Sequence, residues 1–359
     1  MQQKLKKNQL RQIKVLRHLV EEYIATSQTV CSRVICEKYV PEVSPATVRI
    51  DLHKLEERNL IYQPHTSAGR VPTIAGFRAY LDGLREELHT VHYPRSGYVR
   101  DFLIENYRDT PLALHYIKQL LAKETDQLSF VAEPEMSNGI LSKLDVFRIG
   151  PRKLLFVVSL DSGLDKTVIL NTESDLTEQQ LRVLVRYAND ELAGQRIHDI
   201  MYSYLHRLAQ QSGDQNKLLA DFLRQLHHAL REISSYFIHF DSSIEFFEQP
   251  EFDERRNILL FLDFIQRHEF LVNLMQKHEH GAPYTVFLGE DLGRPEWAGL
   301  VLVYARYEIF EVPGYLGILA PVRMNYAKNI PIVRDIAETI TKTTRKGMMV
   351  PRYEKARQR

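Results

Sequence analysis

The stretch Ser44-Pro45-Ala46-Thr47-Val48-Arg49-Ile50-Asp51-Leu52-His53-Lys54-Leu55 decides the fold of the amino-terminal part of the chain. Serine then proline is the preferred order for a helix N-cap and first helical residue: the serine oxygen accepts from an open N–H, and proline has none to leave unpaired. At about 100° per residue, Val48, Leu52 and Leu55 fall in one narrow arc and face a core. The opposite arc carries Ala46, Ile50 and His53, flanked by Arg49 on one side and by Thr47 and Lys54 on the other. A helix seated in the major groove of a duplex needs small side chains, hydrogen-bond donors and few carboxylates. This arc has all three, and Asp51 lies beside the core stripe rather than at the tip.

Upstream, Leu10, Ile13, Leu16, Val20, Tyr23 and Ile24 read as the stripe of an amphipathic helix of about four turns, broken at Thr26-Ser27-Gln28-Thr29. A short helix from Ser32 to Tyr39 follows, then a turn at Pro41-Glu42-Val43. Downstream, Leu60 to Gln63 and Arg70 to Pro72 read as short strands around the loop His65-Thr66-Ser67-Ala68-Gly69, and Thr73 can cap a helix from Ile74 to about Leu88. Three helices followed by a two-stranded ribbon is the order of a winged helix-turn-helix. The expected DNA-contacting residues are Ser44, Ala46, Thr47, Arg49, Ile50, His53 and Lys54 on the helix, and His65, Thr66, Ser67, Gly69 and Arg70 on the ribbon. Arg70 is placed at the ribbon tip, where a side chain enters the minor groove or clamps a phosphate. Ile50, apolar and opposite the core, reads either as a partner-facing or incidental surface residue or as packing against a thymine methyl.

Charge supports this polarity. The chain of 359 residues carries a net +1, yet residues 1–80 hold thirteen Lys and Arg against seven Asp and Glu. The tail 342–359 holds seven basic residues against Glu354 alone, so the middle is acidic. A basic head on an acidic body presents one end to a polyanion. No run is apolar and long enough to span a bilayer, and no apolar stretch follows the basic start, so a cytoplasmic location without membrane contact is expected. The two cysteines, Cys31 and Cys36, fit neither a disulfide framework nor a zinc set. Neither His268-Glu269 nor His278-Glu279-His280 has the spacing of a metalloprotease helix, and the phosphate-loop, dinucleotide and nucleophile-elbow motifs are missing. No enzymatic activity, cofactor or metal site is expected.

Beyond the head, residues 98–127 read as helical. Strand alternation appears at Leu128 to Val131, Leu144 to Ile149, Leu154 to Leu160 and Lys166 to Leu170. Leu176 to Gln276 is mostly helical, with a strand interruption within Tyr236 to Phe247. Strands resume at Tyr284 to Leu288, Ala298 to Tyr304 and Tyr315 to Pro321, and a helix from Ile330 to Thr341 precedes the tail. Strands on both sides of a helical block give an α+β fold with an insert. Tyr304, Tyr307, Phe310 and Tyr315 are candidates either for a ligand pocket or for core packing.

The stretches Val20-Glu21-Glu22-Tyr23-Ile24, Ser32-Arg33 and Ser44 to Arg49 closely resemble the heat-inducible transcription repressor HrcA family. Gln63-Pro64-His65-Thr66-Ser67-Ala68-Gly69-Arg70-Val71-Pro72-Thr73, with Gly76, Phe77, Arg78 and Tyr80, is nearly that family's signature. The likeness continues more loosely through Leu176 to Leu192, Gln249 to Phe252 and Gly317 to Tyr326. The resemblance implies a winged-helix DNA-binding domain over 1–90 and a helical connector over 91–127. A GAF-like α/β domain over 128–175 and 277–341 is interrupted by a dimerising insert over 176–276, and 342–359 is a basic tail. It further implies repression of chaperone operons through the inverted-repeat CIRCE operator, a homodimer, release on heat stress, and activity maintained by a GroEL-type chaperonin. Two residues depart from the family pattern. Ile50 stands where Asn is usual, which puts the adenine contact and hence the operator consensus in doubt, and Cys31 stands where Gly is usual.

Overall fold

The computed structural model describes residues 2–106, 109–172, 176–204, 217–234, 237–278 and 281–345. Lys4, Lys6 and Lys7 are described in backbone only, and the basic tail from 346 onward lies outside the described residues, as do Glu279 and His280.

The first ninety residues form α1 (Gln2–Thr26), α2 (Ser32–Lys38), α3 (Pro45–Glu57), the ribbon β1 (Ile61–Tyr62) and β2 (Val71–Pro72), and α4 (Ile74–Thr90). α1 is longer than its apolar pattern indicates, and its buried stripe differs from expectation. Gln12, Val15, Leu16, Leu19 and Val20 are buried, whereas Leu10 and Ile13 are exposed. The helix is rotated so that Gln12 and Arg11 turn toward α3, where Asp51 accepts from both. Both expected caps are present: Ser44 Oγ accepts from Thr47 N at 3.2 Å and Thr73 Oγ1 from Gly76 N at 3.1 Å. Gly76 is required, because a Cβ there would lie 2.0 Å from Leu60 O.

α5 (Ser96–Glu105) and α6 (Thr110–Thr125) lead into β3 (Leu128–Ala132). Next come β4 (Leu141–Gly150), β5 (Lys153–Leu160), β6 (Asp165–Asn171), α7 (Glu178–Leu192) and α8 (Lys217–Ser234). β7 (Ile238–Asp241), α9 (Arg255–Ile265) and α10 (His268–Lys277) follow. The described residues close with β8 (Thr285–Leu288), β9 (Leu300–Ile309), β10 (Val312–Pro321) and α11 (Tyr326–Thr343). The mixture of helix and sheet is α+β. One antiparallel sheet has the order β7-β3-β10-β9-β8 and a second the order β4-β5-β6.

Sheet membership divides the chain differently from the sequence expectation. The stretch 128–175 does not stay together: β3 pairs with β10 and β7, while β4 to β6 form the separate sheet, packed against α7 and α8. Likewise β7, which lies between helical segments, returns to the five-stranded sheet. That sheet is buried on both faces. Val131, Val303, Leu316 and Ile318 pack with the head and with Ile330, Val333 and Ile336 of α11. Phe130, Leu302, Tyr304 and Leu319 pack with Phe261 and Phe264 of α9 and Met275 of α10. Alternate residues of each strand point to opposite faces, so the near-continuous apolar runs of β9 and β10 follow directly.

Candidate nucleic-acid interface

The inner face of α3 is pinned at several points. Val48, Leu52 and Leu55 join Val15, Leu19 and Ile35 in the core. Asp51, fully buried, accepts from Arg11 Nε at 2.5 Å, from Arg11 Nη2 at 3.2 Å and from Gln12 Nε2 at 3.4 Å. A carboxylate at zero exposure is tolerated because a guanidinium and an amide replace its water. α2 is tied to α1 in the same manner: Glu22 accepts from Lys38 Nζ and from Tyr39 Oη, both at 2.6 Å. These bonds hold the Glu22 carboxyl below its ordinary value and push the Tyr39 hydroxyl up to about 12.

With one side fixed, the outer face of α3 stands in solvent. Ala46, Arg49, Ile50, His53 and Lys54 are exposed, Ile50 at 57% of its full surface. Arg49 and Lys54 have no ion-pair partner among the described residues. His53 lies 3.6 Å from Glu57. Ser44 and Thr47 share a hydroxyl hydrogen bond of 2.9 Å at the head of the helix.

The ribbon is a compact loop. Gln63 Nε2 donates to Thr66 O at 2.9 Å and to Ala68 O at 2.8 Å, and Ala68 N donates to His65 O. The exposed tip is therefore His65-Thr66-Ser67. Arg70 is not at that tip. Its backbone exchanges two hydrogen bonds with Val30, making a third strand-like partner for the ribbon. Its guanidinium donates from Nε to Glu56 Oε2 of α3 at 3.1 Å, with Nη2 3.0 Å from the same oxygen. The expected placement at the ribbon tip is corrected: Arg70 joins ribbon to helix, because the Val30 bridge draws it inward. Gly69 is needed for that approach and not for a turn at the tip, since a Cβ there would lie 2.6 Å from the Val30 carbonyl. The residues that sequence reasoning missed are structural supports: Glu56, Gln63, Arg11 and Gln12. Asp51, a carboxylate beside a core stripe, was the available signal that partners had to exist.

The head is joined to the remainder along α11. Tyr326, fully buried, meets Phe77 at a tilt and Tyr80 edge-on, and burial drives its hydroxyl well above its ordinary value. Arg334 donates to the carbonyls of Leu88 and Val91, and Asp335 accepts from Tyr93 N at 2.6 Å. Arg78 meets Asp291 through two hydrogen bonds, and Arg323 Nη1 donates to Ile24 O at 3.1 Å. Of the aromatics with two readings, Tyr304, Tyr307 and Tyr315 are core residues, and the hydroxyls of the first two donate to Met275 O and Ala132 O.

Residues 113–330 match the family model of the HrcA protein C-terminal domain. The heat-inducible transcription repressor HrcA of Natranaerobius thermophilus is 30% identical over 337 residues, covering 92% of this chain and 95% of that protein. Its namesake in Symbiobacterium thermophilum is 26% identical, covering 93% and 98%, and that of Geobacter sulfurreducens 29%, covering 91% and 96%. Among solved structures, one described only as a hypothetical protein is 24% identical, with a TM-score of 0.59 over 93% of this chain and 98% of that one. That likeness bears on the fold alone.

Proposed function

The chain belongs to the HrcA family, and on that premise we propose that it is a heat-inducible transcriptional repressor that grips an operator through α3 and the ribbon. The head, 1–90, acts as a winged helix-turn-helix: α3 seats in the major groove and the tip His65-Thr66-Ser67 lies against the adjacent backbone. The observation that carries this reading is the two-sidedness of α3. Its inner face is spent on Asp51–Arg11 and the apolar core, while Arg49 and Lys54 stand exposed without a partner among the described residues and Ile50 is bare. Arg49 and Lys54 contact phosphates, and Ala46 permits close approach. Ile50 packs on a thymine methyl. Because Asn is usual in the family at this position, the operator departs there from the family consensus.

The operator is an inverted repeat of the CIRCE type, bound by a homodimer whose two-fold axis matches that of the DNA. Residues 91–127 connect the head to a GAF-like domain built on the five-stranded sheet, and the unit of β4 to β6 with α7 and α8 is the dimerising insert. The outer face of its sheet supports this: Phe147, Leu155 and Ile169 lie side by side across three strands, with Phe147 and Ile169 more than half exposed. An apolar row of that kind calls for a cover. Heat releases the repressor, and a GroEL-type chaperonin maintains its active form.

The test is footprinting of the purified protein on promoter fragments upstream of chaperone genes, at stated salt. A protected inverted repeat is the expected result. Replacing thymine by uracil at single operator positions then weakens binding at one position per half-site, and the absence of any such position removes the role given to Ile50.

A further inference from the structure

Outside the head and the insert, the far side of the five-stranded sheet carries an open cavity of about 590 Å³ between α9 and the turn at Pro295–Trp297. Its walls include Leu259, Leu260 and Trp297, and Arg255, Arg256 and Arg294 surround it. The charge arrangement is unusual for an acidic body. Asp263, also in the wall, is already held by Arg267 through Nε and Nη2, which keeps its carboxyl below the ordinary range. Glu296 is the other carboxylate of the lining. Arg255, Arg256 and Arg294 form no close ion pair among the described residues, although Arg294 is near enough to help lower the Asp263 carboxyl, and it rests over the Trp297 ring at 5.1 Å. Three guanidiniums line the cavity against Glu296 and an Asp263 already engaged by Arg267, which leaves an excess of positive charge for an anion.

The apolar part of the wall is equally uncommitted. Leu259, in the wall on the outer side of α9, is 53% exposed, while Phe261 and Phe264 on the inner side fill the core. Trp297 is buried against Phe264 and Phe270, so the floor of the cavity is rigid. A concave apolar floor with a few convergent charged groups is the usual composition of a small-molecule site.

We infer that this cavity binds a small organic anion with an apolar body, its carboxylate or phosphate held by Arg255, Arg256 and Arg294 and its hydrocarbon laid on Leu259, Leu260 and the edge of Trp297. A bare inorganic anion leaves the leucines wet, and an apolar cation meets three like charges. The site is separate from the operator-binding surface and needs no part of the repressor assignment.

Trp297 is the single tryptophan of the chain and serves as the reporter. Octanoate and octyl phosphate, below their micelle concentrations, are titrated into the full-length protein while its fluorescence is followed. Octylammonium and octanol are the controls. A saturable change with one or both anions, at least tenfold weaker for the two controls, is the expected result. In the double variant R255Q/R256Q the apparent affinity falls at least tenfold with the melting temperature unchanged; should that variant melt early, R294Q, on a different segment, is read in its place. No saturable change with either anion, an equal response to octylammonium, or parental affinity in a variant that melts normally overturns the assignment. The difference between octanoate and octyl phosphate distinguishes a carboxylate ligand from a phosphate ester.

Discussion

Asp51 sets the orientation in which α3 offers its outer face, and it does so from complete burial. Removing it leaves Arg11 and Gln12 facing a void that water reaches poorly. Asp51→Ala is expected to destabilise the protein by about 1–3 kcal/mol, the usual cost of unsatisfied buried partners; an unchanged thermal unfolding curve would remove the pinning role. Gly69 admits no side chain against the Val30 backbone, so Gly69→Ala is expected to cost about 1–3 kcal/mol of overpacking, read in the same assay. Glu22 gives a pH dependence. Its folded carboxyl titrates lower than in the unfolded chain, chiefly because Lys38 and Tyr39 hydrogen-bond to the charged form. Its stabilisation is therefore present above the unfolded value of about 4.3 and is lost as pH falls through the lower folded value. Glu22→Gln should flatten that acid limb of a stability-versus-pH curve, and an identical limb in parent and variant would refute the assignment. At this scale the caps at Ser44 and Thr73 were legible, since a cap is written within four residues. The role of Arg70 was not, because its partner Glu56 and the Val30 bridge are brought to it by tertiary placement.

Among the elements, α3 and the three-stranded sheet each leave a face open. The core arc of α3 was readable because 3.6-residue periodicity needs no knowledge of neighbours. The stripe of α1 was misread for a related reason: Leu10 and Ile13 fit the period, but the buried Gln12–Asp51 contact rotates the helix away from them. Strand positions were legible from alternation, while strand partners were not. β3 and β4 are neighbours in sequence and look alike, yet they enter different sheets. The apolar row of β4 to β6 carries its own prediction. Phe147→Glu with Ile169→Glu buries two charges in any interface covering that row, so the variant is expected to sediment as a monomer where the parent is a dimer. A parent that is itself monomeric would contradict the homodimer, and a variant that still dimerises would move the interface elsewhere.

For the molecule as a whole, the head is attached by specific polar contacts rather than by a tether. Arg334 and Asp335 of α11, both nearly buried, bind the end of α4 and the start of the connector. Asp335→Ala leaves the Arg334 guanidinium buried without its carboxylate and is expected to cost about 3–5 kcal/mol. If calorimetry shows no loss, the seam is looser than its geometry indicates. The same seam fixes the direction in which α3 points relative to the five-stranded sheet. The central claim is that α3 lies against duplex DNA, and it is tested most directly by the affinity of the Arg49→Ala/Lys54→Ala variant for promoter DNA across a series of salt concentrations. Both side chains are exposed and unpaired among the described residues, so folding is expected to be unchanged. Binding at least tenfold weaker at low salt is expected, with a slope of log K against log salt shallower by about 0.9 for each phosphate contact removed. Affinity and slope equal to those of the parent would contradict it.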